Sequence, residues 1–222
     1  MEEHIVIVLK AEFITHDVKR LRVEKPEGYS FTPGQATEAA VNKPGLEKQN
    51  RPFTFTSLNE DPQLEFTIKT YVERNQVTKA IGELKAGDEV IIHDVWGAIH
   101  YNGPGIFFAA GAGVTPFIAI FRKLYKDNKI SGNKLYFSNK TEKDIILKDE
   151  FEKILGENFY NTITREKSSK YDNRRIDEGF IKEKVKDFGQ NFYVCGPDKF
   201  VTDLNQILQK LGANPDSVII EK

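Results

Sequence analysis

Three short stretches carry residue types that could do chemistry together, and they follow one another in order along the chain. The first is Arg51-Pro52-Phe53-Thr54-Phe55-Thr56-Ser57. A guanidinium forks onto phosphate, an aromatic ring lies against a planar group, and a hydroxyl meets a ring nitrogen. Strand alternation sets Phe53 and Phe55 on one face and Thr54 and Thr56 on the other. The second stretch runs from Gly105 to Pro116, an apolar run that ends in a glycine turn. Gly111 and Gly113 remove Cβ atoms that would hold backbone away from a pyrophosphate, Thr115 suits an N-cap, and Pro116 suits the first helical position. The free N–H groups of the following helix would face an anion such as the phosphates of a dinucleotide. Gly-Ala-Gly turns also serve ordinary strand-to-helix connections, and this one lacks a third glycine. The third stretch, Phe192-Tyr193-Val194-Cys195-Gly196-Pro197-Asp198, is an apolar strand ending in a thiol and a tight turn. Ligands of open α/β sheets bind outside the carboxyl ends of the strands, where Cys195 would fall. The plainer readings are a small buried residue for Cys195 and a core hydroxyl for Thr54.

The elements that must position these residues divide the chain in two. From Ile5 to about Asn102 short strands alternate with turns: Ile5 to Leu9, Val18 to Val23, Gln35 to Val41, Leu64 to Tyr71 and Glu89 to Val95. That spacing predicts an antiparallel barrel or sandwich, with one short helix from Val77 to Leu84. Asn75-Gln76-Val77-Thr78 would open that helix as a second place for a pyrophosphate. A turn-rich junction, Tyr101 to Gly105, separates residues 1–102 from residues 103–222. Strands then alternate with helices: Ile106 to Ala110, Lys134 to Ser138, Phe159 to Thr164, Asn191 to Cys195 and Ser217 to Ile220, with helices over Pro116 to Asp127, Lys148 to Leu155, Glu178 to Asp187 and Lys199 to Leu211. Ile106 to Ala110 is apolar at every position, as a parallel strand covered on both faces requires. The pattern predicts a five-stranded parallel α/β sheet, with Lys167 to Arg175 as a polar, mobile loop.

Composition excludes several classes. The 222 residues carry 29% charged side chains but a net charge of -1, so no global field draws in nucleic acid or an anionic membrane. A single cysteine rules out an internal disulfide framework, a thiolate zinc site and a chain-encoded iron–sulfur cluster. His4, His16, His93 and His100 show no metal-ligand spacing, so no metal is expected. The acidic start and the lack of a membrane-length apolar run point to a soluble cytoplasmic protein in a reducing setting.

The order RPFT, GAGVTP, YVCGPD, with a barrel before the first and a parallel sheet carrying the others, resembles the ferredoxin-NADP reductase superfamily of flavin enzymes, over nearly the whole chain. The resemblance implies a Greek-key flavin barrel in residues 1–102 and an NAD(P)-binding α/β domain in 103–222. It implies that Arg51 and Pro52 meet the flavin pyrophosphate side, Phe53 packs on the ring or ribityl, and Thr54 bonds near flavin N5. Ile68, Lys69 and Thr70 would continue the flavin edge, with Val77 and Thr78 at its pyrophosphate. Gly111, Gly113, Val114, Thr115 and Pro116 would hold the nicotinamide nucleotide's phosphates. Cys195 would lie beside nicotinamide C4, Gly196, Pro197 and Asp198 would shape its pocket, and Glu221 resembles the family's C-terminal acid, so Thr54, Cys195 and Glu221 form the implied catalytic set. The sequence departs from the family in four places. Phe53 stands where Tyr is common, Arg74-Asn75-Gln76 replaces a glycine-rich turn, Asp198 replaces a second proline, and Val218 to Lys222 has no terminal aromatic to cover the flavin. Trp96-Gly97 could touch the flavin or fill the domain interface.

The implied reaction is hydride transfer from NAD(P)H to flavin, with FAD expected over FMN as a family feature. Ser138, Lys140, Arg165, Lys170, Arg174 and Arg175 offer cations and a hydroxyl for an adenosine 2′-phosphate, favouring NADP with NAD as an alternative. The expected partner of this monomer is a flavodoxin or a ferredoxin-like acceptor. Alternatives are an electron-transfer subunit for an oxygenase or desaturase, and a non-catalytic flavin or nucleotide sensor.

Overall fold

The computed structural model describes residues 2–71, 76–97 and 99–220. The first sheet is six-stranded and antiparallel. Its strands are β1 (His4–Phe13), β2 (Val18–Glu24), β3 (Ala36–Val41), β4 (Arg51–Thr54), β5 (Gln63–Lys69) and β6 (Glu89–Trp96), in the order β4-β3-β6-β1-β2-β5. β1 reaches past the predicted Leu9 because it serves two neighbours. Its first half pairs with β6 and its second with β2, across an irregularity between Val8 and Lys10. The sheet curls into a nearly closed barrel, and a single bridge, Phe55 to Phe66, joins the chain beyond β4 to β5. Phe55 fills the interior, stacked on Phe31 with ring centroids 4.2 Å apart. Helix α1 (Gln76–Glu83) closes one end by burying Val77, Ala80 and Ile81 against the same core.

The second sheet is parallel, with β7 (Gly105–Ala110), β8 (Lys134–Asn139), β9 (Phe159–Ile163), β10 (Asn191–Cys195) and β11 (Val218–Ile220) in the order β11-β10-β7-β8-β9. Its crossovers carry α2 (Thr115–Lys126), α3 (Lys148–Leu155), α4 (Glu178–Lys184) and α5 (Asp198–Lys210). The uniform hydrophobicity of β7 now has its cause. Phe107 and Ala109 enter one core with Phe117, Phe121 and Phe151, while Ile106 and Phe108 enter another with Phe180, Phe192 and Leu204. The chain moves outward through β8 and β9 and returns to β10 beside β7, so the direction of winding reverses between β7 and β10.

Three local expectations are corrected. Thr115 is not the N-cap of α2: it is already helical, and Val114 precedes the helix. A 3-10 turn, Gly111–Val114, leads into α2, and the Thr115 hydroxyl donates back to Ala112 O at 2.9 Å. Helix α4 ends at Lys184 rather than Asp187, because Val185 leaves helical geometry and enters the core. The 167–175 segment is anchored rather than loose. Asp172 bridges to Thr162, the Tyr171 hydroxyl donates to Glu142 at 2.7 Å, and Tyr160 donates to Asp172 at 3.2 Å.

The halves meet through Arg122 of α2. Its guanidinium donates to Thr56 O at 2.6 Å, to Glu65 Oε1 at 2.6 Å, and to both oxygens of Glu150 at 2.5 and 2.9 Å. Burial pushes the Glu65 carboxyl up, but the charge and hydrogen bond of Arg122, with Thr56 and Arg22, hold it below the ordinary carboxylate value. Lys123 and Lys126 add ion pairs to Glu60 at the surface of this seam.

Candidate functional site

The carboxyl ends of β7, β8, β9 and β10 open onto a cleft of about 390 Å³ at the winding reversal. Open α/β sheets hold their ligands at such a place. Gly111 and Ala112 form one wall, Ser138, Asn139 and Lys140 a second, Thr164, Arg165, Arg175 and Ile176 a third, and Pro197, Lys199 and Phe200 a fourth. Lys69 and Tyr71 reach it from the barrel. Five cationic side chains line the cleft against two acidic ones, Asp144 and Asp203. A polyanion fits that balance.

The two glycines of the turn do different work. Gly111 holds φ +54° with open space where a Cβ would stand. At Gly113 a Cβ would lie 2.4 Å from Cys195 O and 2.5 Å from Gly196 Cα. Gly113 therefore lets the turn pack on the end of β10, which corrects its reading as a spacer for pyrophosphate alone. That packing brings the second and third motifs together, with Cys195 2% exposed. Pro197 precedes α5, Asp198 is its first residue, and both are exposed.

The basic residues separate once their partners are known. Arg174 faces away, ion-paired at 2.7 Å to Asp172 and at 2.7 Å to Glu183, so it is not a cation of the cleft. Arg165, Arg175 and Lys140 are exposed in the cleft without an ion pair among the described residues. Lys199 is paired with Asp203 at 3.0 Å. Ser138 lies at the end of β8, and Asn139 beside it is 4% exposed with both side-chain amide atoms unpartnered. Such atoms are costly to bury unsatisfied, and this pair sits where a ligand's polar groups would arrive.

The first motif occupies a different kind of place. β4 pairs with β3 on one side, and its other edge meets no strand until the Phe55–Phe66 bridge, so Arg51–Thr54 keeps a free strand edge among the described residues. Arg51 and Pro52 are exposed, Phe53 is half-buried and rests on the barrel core, and Thr54 is 7% exposed. Ile68 points into the core, as does Val77, so neither side chain faces a ligand, contrary to the sequence expectation. The Thr70 hydroxyl donates to Asp17 O at 3.0 Å, and the Thr78 hydroxyl accepts Tyr71 N–H at 3.2 Å. Lys69 lies 2.7 Å from Asp17 and 3.9 Å from Asp144. His16, Asp17 and Asp144 bring ligand-type atoms within 4.8 Å of one another, but the Lys69 ammonium already serves those carboxylates. Glu221 and the Arg74-Asn75 part of the replaced turn lie outside the described residues.

A free strand edge with an arginine at its start and a cationic cleft at a glycine turn fit a flavin nucleotide and a nicotinamide nucleotide, respectively. Residues 6–101 match the family model of the oxidoreductase FAD-binding domain, and residues 107–206 match that of the oxidoreductase NAD-binding domain. The chain belongs to the ferredoxin-NADP reductase superfamily. It carries an oxidoreductase FAD-binding domain followed by an oxidoreductase NAD-binding domain. The ferredoxin–NAD(P)(+) reductase component of a naphthalene 1,2-dioxygenase system from Pseudomonas putida is 24% identical over 221 residues, 95% of this chain and 66% of that protein. Human NADH-cytochrome b5 reductase 2 is 24% identical across 95% of this chain and 91% of its own length. A ferredoxin NADP+ reductase from Neisseria gonorrhoeae, solved with FAD and NADP, superposes with TM-score 0.87 over 100% of this chain and 98% of its own, at 17% identity, which speaks to the fold alone. The chain spans 66%, 62% and 64% of the lengths of three oxygenase-system reductases that it matches. No described helix is long and apolar enough to cross a membrane.

Sequence reasoning did not single out Arg122, Asn139 or Lys199. Arg122 had a local signal, a guanidinium inside an otherwise apolar helix face, but its barrel partners are 57 and 66 residues away.

Proposed function

We propose that this chain oxidises NADPH and passes the electrons, through FAD, to a ferredoxin-like acceptor. The division of labour is residues 1–102 for the flavin and 103–222 for the nicotinamide nucleotide. The observation that carries the reading is the cationic cleft at the winding reversal, bordered by Lys69 and Tyr71 at the end of the barrel strand β5. Bound FAD supplies the exchange between a two-electron donor and a one-electron acceptor. The chain's own residues position and select. Arg51 offers its guanidinium to the flavin pyrophosphate, and the Thr54 hydroxyl and the free edge of β4 offer hydrogen bonds to the ring edge. The N–H groups of Gly111–Val114 and the start of α2 hold the nicotinamide nucleotide's phosphates. Cys195 to Asp198 wall the nicotinamide, with Cys195 excluding water rather than acting as a nucleophile. Arg165 and Arg175, with Lys140 and Ser138, receive a 2′-phosphate, which favours NADPH over NADH.

A second reading, the reductase of an oxygenase system, draws support from the names of several relatives. Both readings predict a yellow protein whose visible bands bleach anaerobically on addition of NADPH, faster than with NADH at equal concentration. Reduction of an added ferredoxin, against reduction of a partner oxygenase with no ferredoxin present, separates them. Bound flavin that stays oxidised with both nucleotides would leave a sensor, and failure to take up FAD would remove the proposal.

A further inference from the structure

Of the four histidines only His93 is buried, at 3% exposure. It lies in β6 where the ladder to β3 shifts register between Thr37 and Ala39. Side chains fix the backbone there. The Thr37 hydroxyl accepts His93 N–H at 3.0 Å and donates to His93 O at 2.8 Å, and the Tyr29 hydroxyl donates to the same carbonyl at 2.6 Å. The imidazole Nε2 stands 3.3 Å from Asn50 Oδ1. Asn50 immediately precedes β4, and β3 lies between β4 and β6 in the sheet, so this contact ties the start of β4 to β6 directly.

An amide oxygen can only accept, so Nε2 carries the imidazole proton. Nδ1 is then a buried acceptor with no partner among the described residues. Leaving such an atom unsatisfied costs more than an ordinary hydrogen bond returns. Stability alone would favour an apolar side chain here, so the value of the imidazole lies in what it holds. What it holds is the base of Arg51. The β3–β4 ladder begins at the Ala39–Arg51 pair, which leaves Asn50 as the residue just outside it. Asn50 O accepts from Arg51 Nη1 at 2.6 Å, so the backbone and the guanidinium of Arg51 both lean on Asn50. Arg51 itself is exposed.

We propose that His93 is a positioning residue for flavin binding: by holding Asn50 it sets where Arg51 starts, and so where the guanidinium meets the flavin pyrophosphate. This rests on the flavin-binding reading above. The imidazole itself touches no cofactor atom and takes no part in electron transfer. Its effect is confined to ligands that carry phosphate, because it acts only through Arg51. Riboflavin, the same ring system without phosphate, is the control ligand.

The test measures FAD and riboflavin dissociation constants by fluorescence titration, with urea unfolding of the flavin-free protein, for the parent, His93→Leu, His93→Gln and Asn50→Ala. His93→Leu is expected to weaken FAD about fivefold, the size of one hydrogen bond, while riboflavin affinity stays unchanged and the urea midpoint is at or above the parent's. His93→Gln, whose amide N–H can still donate to Asn50, is expected to keep the parent's FAD affinity. Asn50→Ala is expected to match the FAD loss of His93→Leu from outside the core, so the result does not hang on one buried substitution. In an Arg51→Gln background neither change should weaken FAD further. Unchanged FAD affinity in both His93→Leu and Asn50→Ala overturns the assignment. Equal losses for FAD and riboflavin also overturn it, because a merely structural role gives that result, and so does a full further loss in the Arg51→Gln background. A parent that takes up no FAD overturns the flavin reading itself, an outcome separate from these.

Discussion

Replacing Arg122 by alanine should test the seam between the halves. The guanidinium bonds a barrel carbonyl and two carboxylates, and the Glu65 side chain is only 8% exposed. Removing one partner of a buried pair costs about 3–5 kcal/mol, chiefly because the other charge stays buried without compensation. Arg122 is 20% exposed and Glu150 30%, and Arg22 still reaches Glu65 at 3.2 Å. These three facts lower the expectation to about 3 kcal/mol at neutral pH, roughly a hundredfold in the folding constant. Urea unfolding measures it. The loss must depend on pH in a definite direction. The folded-state pKa of Glu65 is depressed in the parent, so its contribution is complete above the unfolded carboxylate value of about 4.3 and fades as pH falls through the lower folded value. Without Arg122 burial dominates and the carboxyl holds its proton at higher pH. The gap between parent and variant should therefore begin to narrow as pH falls from neutral towards the ordinary carboxylate range, and keep narrowing until the parent's own Glu65 takes up its proton. Adding Glu65→Gln should recover about 2 kcal/mol of the loss as coupling, whereas Lys126→Ala at the exposed Glu60 pair should cost under about 0.5 kcal/mol. A loss under about 1 kcal/mol at pH 7, or one that does not change with pH, would refute this account of the seam.

Other outcomes follow from the cleft. Gly113→Ala drives a methyl group into backbone at Cys195 and Gly196, so it should displace the turn and raise the NADPH dissociation constant at least about tenfold by titration. Gly111→Ala has open space and only left-handed strain, so it should lower unfolding free energy by about 1 kcal/mol and leave the fold intact by circular dichroism. Arg175→Ala or Arg165→Ala should raise the KM for NADPH about tenfold with little change for NADH, each losing one charge-assisted contact. Arg174→Ala should leave both KM values within about twofold, since its charge is spent on Asp172 and Glu183.

Much of the fold was legible because it is written in short-range patterns. Ile106 to Ala110 announced a doubly covered strand through hydrophobicity alone, and the strand-helix rhythm after Gly105 gave the parallel sheet. The three motifs were legible as places: a strand edge, a turn and a strand end. What each residue does there was less so, because it depends on neighbours distant in sequence. Gly113 reads like a phosphate glycine until Cys195 is found beside it. Arg174 and Arg175 are indistinguishable in the sequence, yet Asp172 and Glu183 claim one and leave the other in the cleft. Ile68 and Val77 were assigned to a ligand by motif position, and the barrel interior claimed both side chains. Thr115 looked like a cap because its hydroxyl suits one, but the preceding 3-10 turn starts the helical geometry a residue early.

Helix α2 begins at the glycine turn proposed for the nicotinamide nucleotide and, seven residues later, fastens through Arg122 to Thr56, in the stretch proposed for the flavin, and to Glu65 of β5. The spacing of the two chemistries is thus gauged by two turns of one rod, about 10 Å long. A residue inserted between Thr115 and Arg122 would carry the guanidinium about 1.5 Å along and about 100° around the axis, off the barrel altogether. The loops of this molecule can drift in length over generations, but this short span is a ruler, and a ruler cannot gain a mark without changing what it measures.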